Sequence, residues 1–154
     1  MLQRKQTLFL LVGLAAMIFI LFASLGTFAN EKGIFDLRFY GLRDITQPDN
    51  PQFVTLIWPL TLLICLTTVL QFIDIFLFKN RPLQMRVAGI NAGLFVGTAV
   101  MMFVVSRIVA GEIQSDWHFD FTILLPLISM IFNLLAYRAI SDDEALIRSL
   151  NRLR

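Results

Sequence analysis

Four apolar runs, residues 8–25, 53–78, 87–105 and 121–140, occupy more than half of this 154-residue chain. Their only charges are Asp74, near the end of the second run, and Arg138, near the end of the fourth. A bilayer core of about 30 Å is crossed by ~20 helical residues at 1.5 Å each, so every run is long enough, or nearly so, for one crossing. Hydrocarbon offers no water to the backbone amides, and a helix satisfies them within each run. The expected fold is an all-α membrane protein, a four-transmembrane-helix bundle with spans near 7–26, 54–78, 86–110 and 120–140. With 57% hydrophobic residues the chain has room for two modest loops and two short ends, so residues 1–154 read as a single integral membrane domain.

Charge orients the bundle. Arg4 and Lys5 precede the first span, and Lys79, Arg81 and Arg86 surround the link between spans two and three. Arg138, Arg148, Arg152 and Arg154 lie at or after the end of the last span. Nine of the thirteen basic residues thus fall on one side, while seven acids, among them Asp36, Asp44, Asp116 and Asp120, fall on the other. The positive-inside rule makes both termini cytoplasmic, with outer loops 27–53 and 111–119 and a cytoplasmic tail 141–154. A bacterial cytoplasmic (inner) membrane protein is the expectation. The first run also resembles a signal peptide, with Thr27-Phe28-Ala29 as a cleavage site, but its 18 apolar residues exceed the usual ~7–15 and favour a retained span. Cys65 is the single cysteine, which excludes an intramolecular disulfide or thiol relay and, with it, a thiol oxidoreductase.

In the first outer loop Phe35, Leu37 and Phe39 alternate with Asp36, Arg38 and Tyr40, the period of a half-buried strand, and Gly33 and Gly41 bracket it as turns. Trp117, Phe119 and Phe121 alternate in the second loop and are expected to extend that strand into a small periplasmic hairpin or sheet. Trp58 suits the interfacial belt, and Pro59 costs little at a helix start. Pro126 is expected to kink span four. Ser141-Asp142-Asp143-Glu144 has the pattern of a capping box, so the tail forms a short C-terminal cytoplasmic helix or continues span four.

Four constellations carry the functional expectations. Gly89, Gly93 and Gly97 recur every fourth residue and smooth one face of span three, as close helix packing requires. Packing within the chain is weighed above a dimer or partner interface. Asp74, Asn91 and Asn133 each lie about five residues from a basic group and so share one depth in the membrane, with Gln71 a turn deeper than Asp74. An aspartate in a span is costly and faces protein or water; structural glue is weighed above ion or substrate binding at this layer. Arg148, Arg152 and Arg154 make the tail a lipid- or partner-facing surface. His118, between Asp116 and Asp120, is the lone histidine and a poor basis for a metal site, so no metal and no cofactor are expected.

No serine–histidine pair, zinc-helix motif, phosphate loop or dinucleotide fingerprint is present, and no catalytic residue is named. Four tail arginines offset by three acids make no nucleic-acid signature, so no nucleic acid is expected as a partner.

The start Gln3-Arg4-Lys5-Gln6-Thr7-Leu8, the link Phe78-Lys79-Asn80-Arg81-Pro82-Leu83-Gln84-Met85-Arg86 and the ending from Arg138 to Arg154 resemble one family over essentially the full length. It is the group of small four-span bacterial membrane proteins known as domain of unknown function 4293. The resemblance implies an inner-membrane protein of Gram-negative bacteria and supplies no catalytic residues. The leading expectation is a non-enzymatic accessory or scaffold subunit acting through protein or lipid contacts, with membrane lipids and a membrane-protein partner or as a homo-oligomer. The alternative is an oligomeric small-solute, ion or lipid-binding or transport protein built around Asp74.

Overall fold

The structure is a computed structural model that describes residues 3–31, 33–47, 52–116 and 120–152. Helix α1 (Gln3–Phe22) leads into four strands, β1 (Gly26–Asn30), β2 (Gly33–Arg38), β3 (Gly41–Asp44) and β4 (Gln52–Leu56). Helices α2 (Trp58–Phe76), α3 (Arg81–Ile113) and α4 (Leu125–Arg152) follow, with single 3₁₀ turns at Leu77–Lys79 and Phe121–Leu124. All four helices are long and apolar enough to cross a membrane.

The helices form a ring in which α1 packs on α4, α4 on α3, α3 on α2 and α2 on α1. Met17, Ile20, Leu60, Ile64, Phe95 and Met102 fill its centre. The outer faces are also apolar: Leu8, Phe19, Phe22, Leu62, Phe72, Phe76, Ile90, Val100 and Ile131 are exposed. Several of the polar side chains in these helices point the other way, with Thr67, Gln71, Asp74, Asn91, Thr98, Ser129 and Asn133 at 0% exposure. A water-soluble bundle has the reverse distribution, and a helix that is apolar all round suits a lipid surround.

The sheet lies at the end of the bundle where α1 stops and α2 starts. It is an antiparallel meander in the order β1-β2-β3-β4. Phe28 pairs with Phe35 and Leu37 with Leu42. Phe28, Leu37 and Leu42 are buried against the same core as Val109, Ala110 and Ile123, so the sheet caps the helices. A bulge opposite Leu42 and Arg43 inserts Val54 between the paired Thr55 and Phe53. The turns are glycine-dependent. A Cβ on Gly33 would stand 2.0 Å from Thr46 Oγ1, and one on Gly41 2.2 Å from the Thr55 carbonyl oxygen, at φ +156 and +155. Asn30 Nδ2 donates to the Ile113 carbonyl at 2.7 Å, and Ser115 Oγ to that of Ala29 at 2.9 Å, tying β1 to the end of α3.

Two sequence expectations are corrected. Among the described residues the four strands of the sheet all lie between Gly26 and Leu56, and Phe121 opens a 3₁₀ turn capped by the Asp120 side chain instead of adding a strand. Trp117, His118 and Phe119 lie outside the described residues. Pro126 is not in the interior of a helix: α4 starts at Leu125 and the proline sits in its first turn, where an amide has no intrahelical acceptor. Of the two readings of the tail, the continuation of span four holds: α4 runs unbroken through Ser141, which caps no new helix. Gln6 Nε2 holds that stretch against α1, donating to the Ala139 carbonyl at 3.0 Å and to the Asp143 carboxylate. Helix α3 begins at Arg81 and runs 33 residues, about 50 Å at 1.5 Å per residue.

Candidate functional site

The buried polar layer is assembled from helical spacing on four helices. On α2 the inward positions are Leu60, Ile64, Thr67, Gln71 and Asp74, three or four residues apart. On α3 the inward face carries Gln84, Asn91 and Thr98, seven residues apart, between Ala88, Ala92, Phe95 and Ala99. Asn133 lies on α4, one turn from Ser129.

Hydrogen bonds join these residues across the interfaces. Gln71 Nε2 donates to the Leu10 carbonyl of α1 at 3.1 Å, and its Oε1 accepts from Asn91 Nδ2 at 2.9 Å. Asn133 Nδ2 donates to the Ala88 carbonyl at 2.9 Å, and Gln84 Nε2 to the carbonyl of Asp74 itself at 3.0 Å. Ser129 Oγ donates to the Gly13 carbonyl at 3.0 Å. Gly13 is needed here, because a Cβ on it would come within 3.1 Å of Gln71 Nε2. Gln71, Asn91 and Asn133 thus hydrogen-bond across helix interfaces.

Asp74 is different. Its side chain is fully buried, and neither Oδ1 nor Oδ2 has a hydrogen-bond partner. Asn91 Oδ1 and Asn133 Oδ1 are likewise unpaired, as is the buried Nη1 of Arg81 at the start of α3. A salt bridge lies elsewhere, in the sheet, where Arg38 Nε meets Asp36 Oδ2 at 2.8 Å. The hydrogen bond to Asp36 holds the Arg38 guanidinium above its ordinary value, and Ser24 Oγ donates to the same carboxylate. Native structures leave few buried polar atoms unpaired, so the cluster around Asp74 calls for an explanation.

Gln6, Gln84, Ser129 and Asp143 were not singled out from sequence, although all four are buried polar positions. The seven-residue recurrence of Gln84, Asn91 and Thr98 was the available signal.

The glycine face lies where within-chain packing would not put it. Gly89, Gly93 and Gly97 are exposed, and a Cβ on any of them would meet nothing within 4 Å. The small residues that seat α3 in the bundle are Ala88, Ala92 and Ala99 instead. Beside Gly89, between the facing ends of α3 and α4, is a cavity of about 790 Å³ lined by Met85, Arg86, Leu134, Tyr137 and Ser141. The side chains of Arg148 and Arg152, and all of Arg154, lie outside the described residues. So does His118, and no cluster of three or more metal-ligating side chains occurs among the described residues.

A family model described as Domain of unknown function (DUF4293) matches residues 2–153, and the chain belongs to that family. No curated protein and no solved structure matches it.

Proposed function

We propose that this member of the family is a non-enzymatic accessory or scaffold subunit of the bacterial inner membrane, with both termini cytoplasmic, that works by lateral contact with another membrane helix. The observation that carries this reading is the outward glycine strip on α3. Three residues without side chains, Gly89, Gly93 and Gly97, share one exposed face, flanked by the exposed apolar Ile90, Val96 and Val100. In a bilayer such a strip lets a second backbone approach closely, and dispersion contacts then replace lipid contacts. The inner face of α3 is already filled by its own bundle, which leaves this strip for a partner or a second copy.

Cross-linking of the protein in native membranes, followed by capture in nanodiscs, tests the proposal. The wild type is expected to bring down a stoichiometric membrane partner or itself, with cross-links at the exposed Lys79. Gly93→Leu is expected to lose that complex while the monomer folds normally, since the added side chain meets nothing of its own chain. Retention of the same complex by Gly93→Leu would overturn the reading.

A further inference from the structure

We propose that the buried cluster of Asp74, Asn91 and Asn133 binds one alkali metal cation, of the sodium or potassium class. Four oxygen atoms are buried there without a hydrogen-bond donor: both carboxylate oxygens of Asp74, Asn91 Oδ1 and Asn133 Oδ1. Neither amide can turn to relieve this. Asn91 Nδ2 is committed to Gln71 Oε1 and Asn133 Nδ2 to the Ala88 carbonyl, so reversing either group would break an interhelical bond and set two oxygens face to face.

The same bonds set the depth of the free oxygens. Asn133 meets α3 at Ala88, three residues from Asn91; Asn91 meets α2 at Gln71, three residues from Asp74. Gln84 holds the backbone of Asp74 directly. Helices α2, α3 and α4 therefore bring their unpaired acceptors to within about one turn, ~5.4 Å, of the same level.

The composition of the cluster selects the ligand. It offers acceptors only, and carboxylate and amide oxygens are hard ligands for alkali and alkaline-earth cations. A single carboxylate balances one positive charge, and a divalent ion would leave a buried net charge. Zinc, copper and iron call for imidazole or thiolate, and Cys65 is exposed elsewhere on α2. A proton would pair only one carboxylate oxygen with one acceptor and leave the other two atoms orphaned. An oxygen-ligated cation engages all four. Arg81, whose Nη1 is buried and unpaired one turn before Gln84, is the competing positive charge within the chain.

The experiment is equilibrium binding of radioactive sodium to the full chain in nanodiscs, with competition at constant ionic strength, alongside thermal unfolding in sodium, potassium and choline chloride. Saturable binding of one ion per chain is expected, displaced by alkali cations and not by choline, with a higher Tm in the alkali salts. Asp74→Asn, which keeps the shape and removes the charge, is expected to lose both effects. Asn133→Leu is expected to weaken binding by about tenfold or more. Gly93→Leu is expected to bind sodium normally, which separates this site from the association surface. Three results would each overturn the proposal: no saturable binding, binding retained by Asp74→Asn, or stability that follows pH and ignores the alkali cation. An Asp74–Arg81 ion pair would also overturn it, seen as cation-independent stability lost equally in Asp74→Asn and Arg81→Gln.

Discussion

Asn91 on α3 donates through Nδ2 to Gln71 Oε1 on α2 across 2.9 Å, with both side chains fully buried. Gln71 passes the connection on, donating to the Leu10 carbonyl of α1. One amide side chain thus joins three helices. Gln71→Leu should strand the Asn91 amide without its acceptor and destabilise the bundle by about 1–2 kcal/mol. The double variant Gln71→Leu with Asn91→Leu should recover part of that loss, as read by reversible unfolding in bicelles or by a double-mutant cycle.

Two glycines should respond oppositely. Gly13→Val drives a branched side chain towards Gln71 Nε2, already 3.1 Å from where a Cβ would stand, and towards the Ser129 carbonyl. A cost of about 1–3 kcal/mol is expected, with the Gln71–Leu10 bond disrupted. Gly93→Ala adds a methyl where nothing lies within 4 Å and should raise the stability of the isolated monomer by up to about 1 kcal/mol through helix propensity. Thermal unfolding of the two monomeric variants beside the wild type checks the contrast; equal effects would contradict it.

The turn between β2 and β3 should tolerate no side chain at Gly41. A Cβ there would stand 2.2 Å from the Thr55 carbonyl oxygen, at a φ that L-residues rarely adopt. Gly41→Ala should cost about 1–3 kcal/mol and open the sheet while leaving the helices in place. Limited proteolysis of the variant should cut within the strands before any helix is lost.

The end of β3 should loosen in acid. The Thr46 hydroxyl and then its backbone N–H bond to Asp44 and hold that carboxyl below the ordinary aspartate range. A lowered folded pKa means the contribution is complete above the unfolded value and is lost as pH falls through the folded one. Hydrogen exchange at the Thr46 amide should therefore quicken, beyond the intrinsic pH dependence, as pH drops below the ordinary aspartate range. Asp44→Asn should abolish that component. Its absence in the wild type would refute the assignment.

The helices were legible because apolar length is a one-dimensional property, and lipid-scale runs admit few alternatives. The polar layer was legible for the same reason: Asp74, Asn91 and Asn133 are conspicuous against uninterrupted apolar neighbours. What the runs do not reveal is azimuth. A helix that is apolar on all sides has a weak period, so the residues do not say which face meets the bundle, and Gly89, Gly93 and Gly97 turned outward against expectation. Strand count was hidden differently. The 26–30 segment falls almost wholly in the expected outer loop and carries one large apolar side chain, too few to show a strand's alternation, yet it forms β1 with Phe28 buried against Leu37 and the end of α3.

Along α3, Arg86 and Arg107 are both exposed and stand 21 residues apart, about 31 Å of helix. That is the thickness of hydrocarbon itself. In a bilayer, sliding the helix either way would carry one guanidinium towards the hydrocarbon, a shift that snorkelling offsets only in part. Such a helix would act as a gauge. It would register the height of everything pinned to it, and a thicker or thinner membrane would be felt as tilt of the whole ring before any contact inside it gave way.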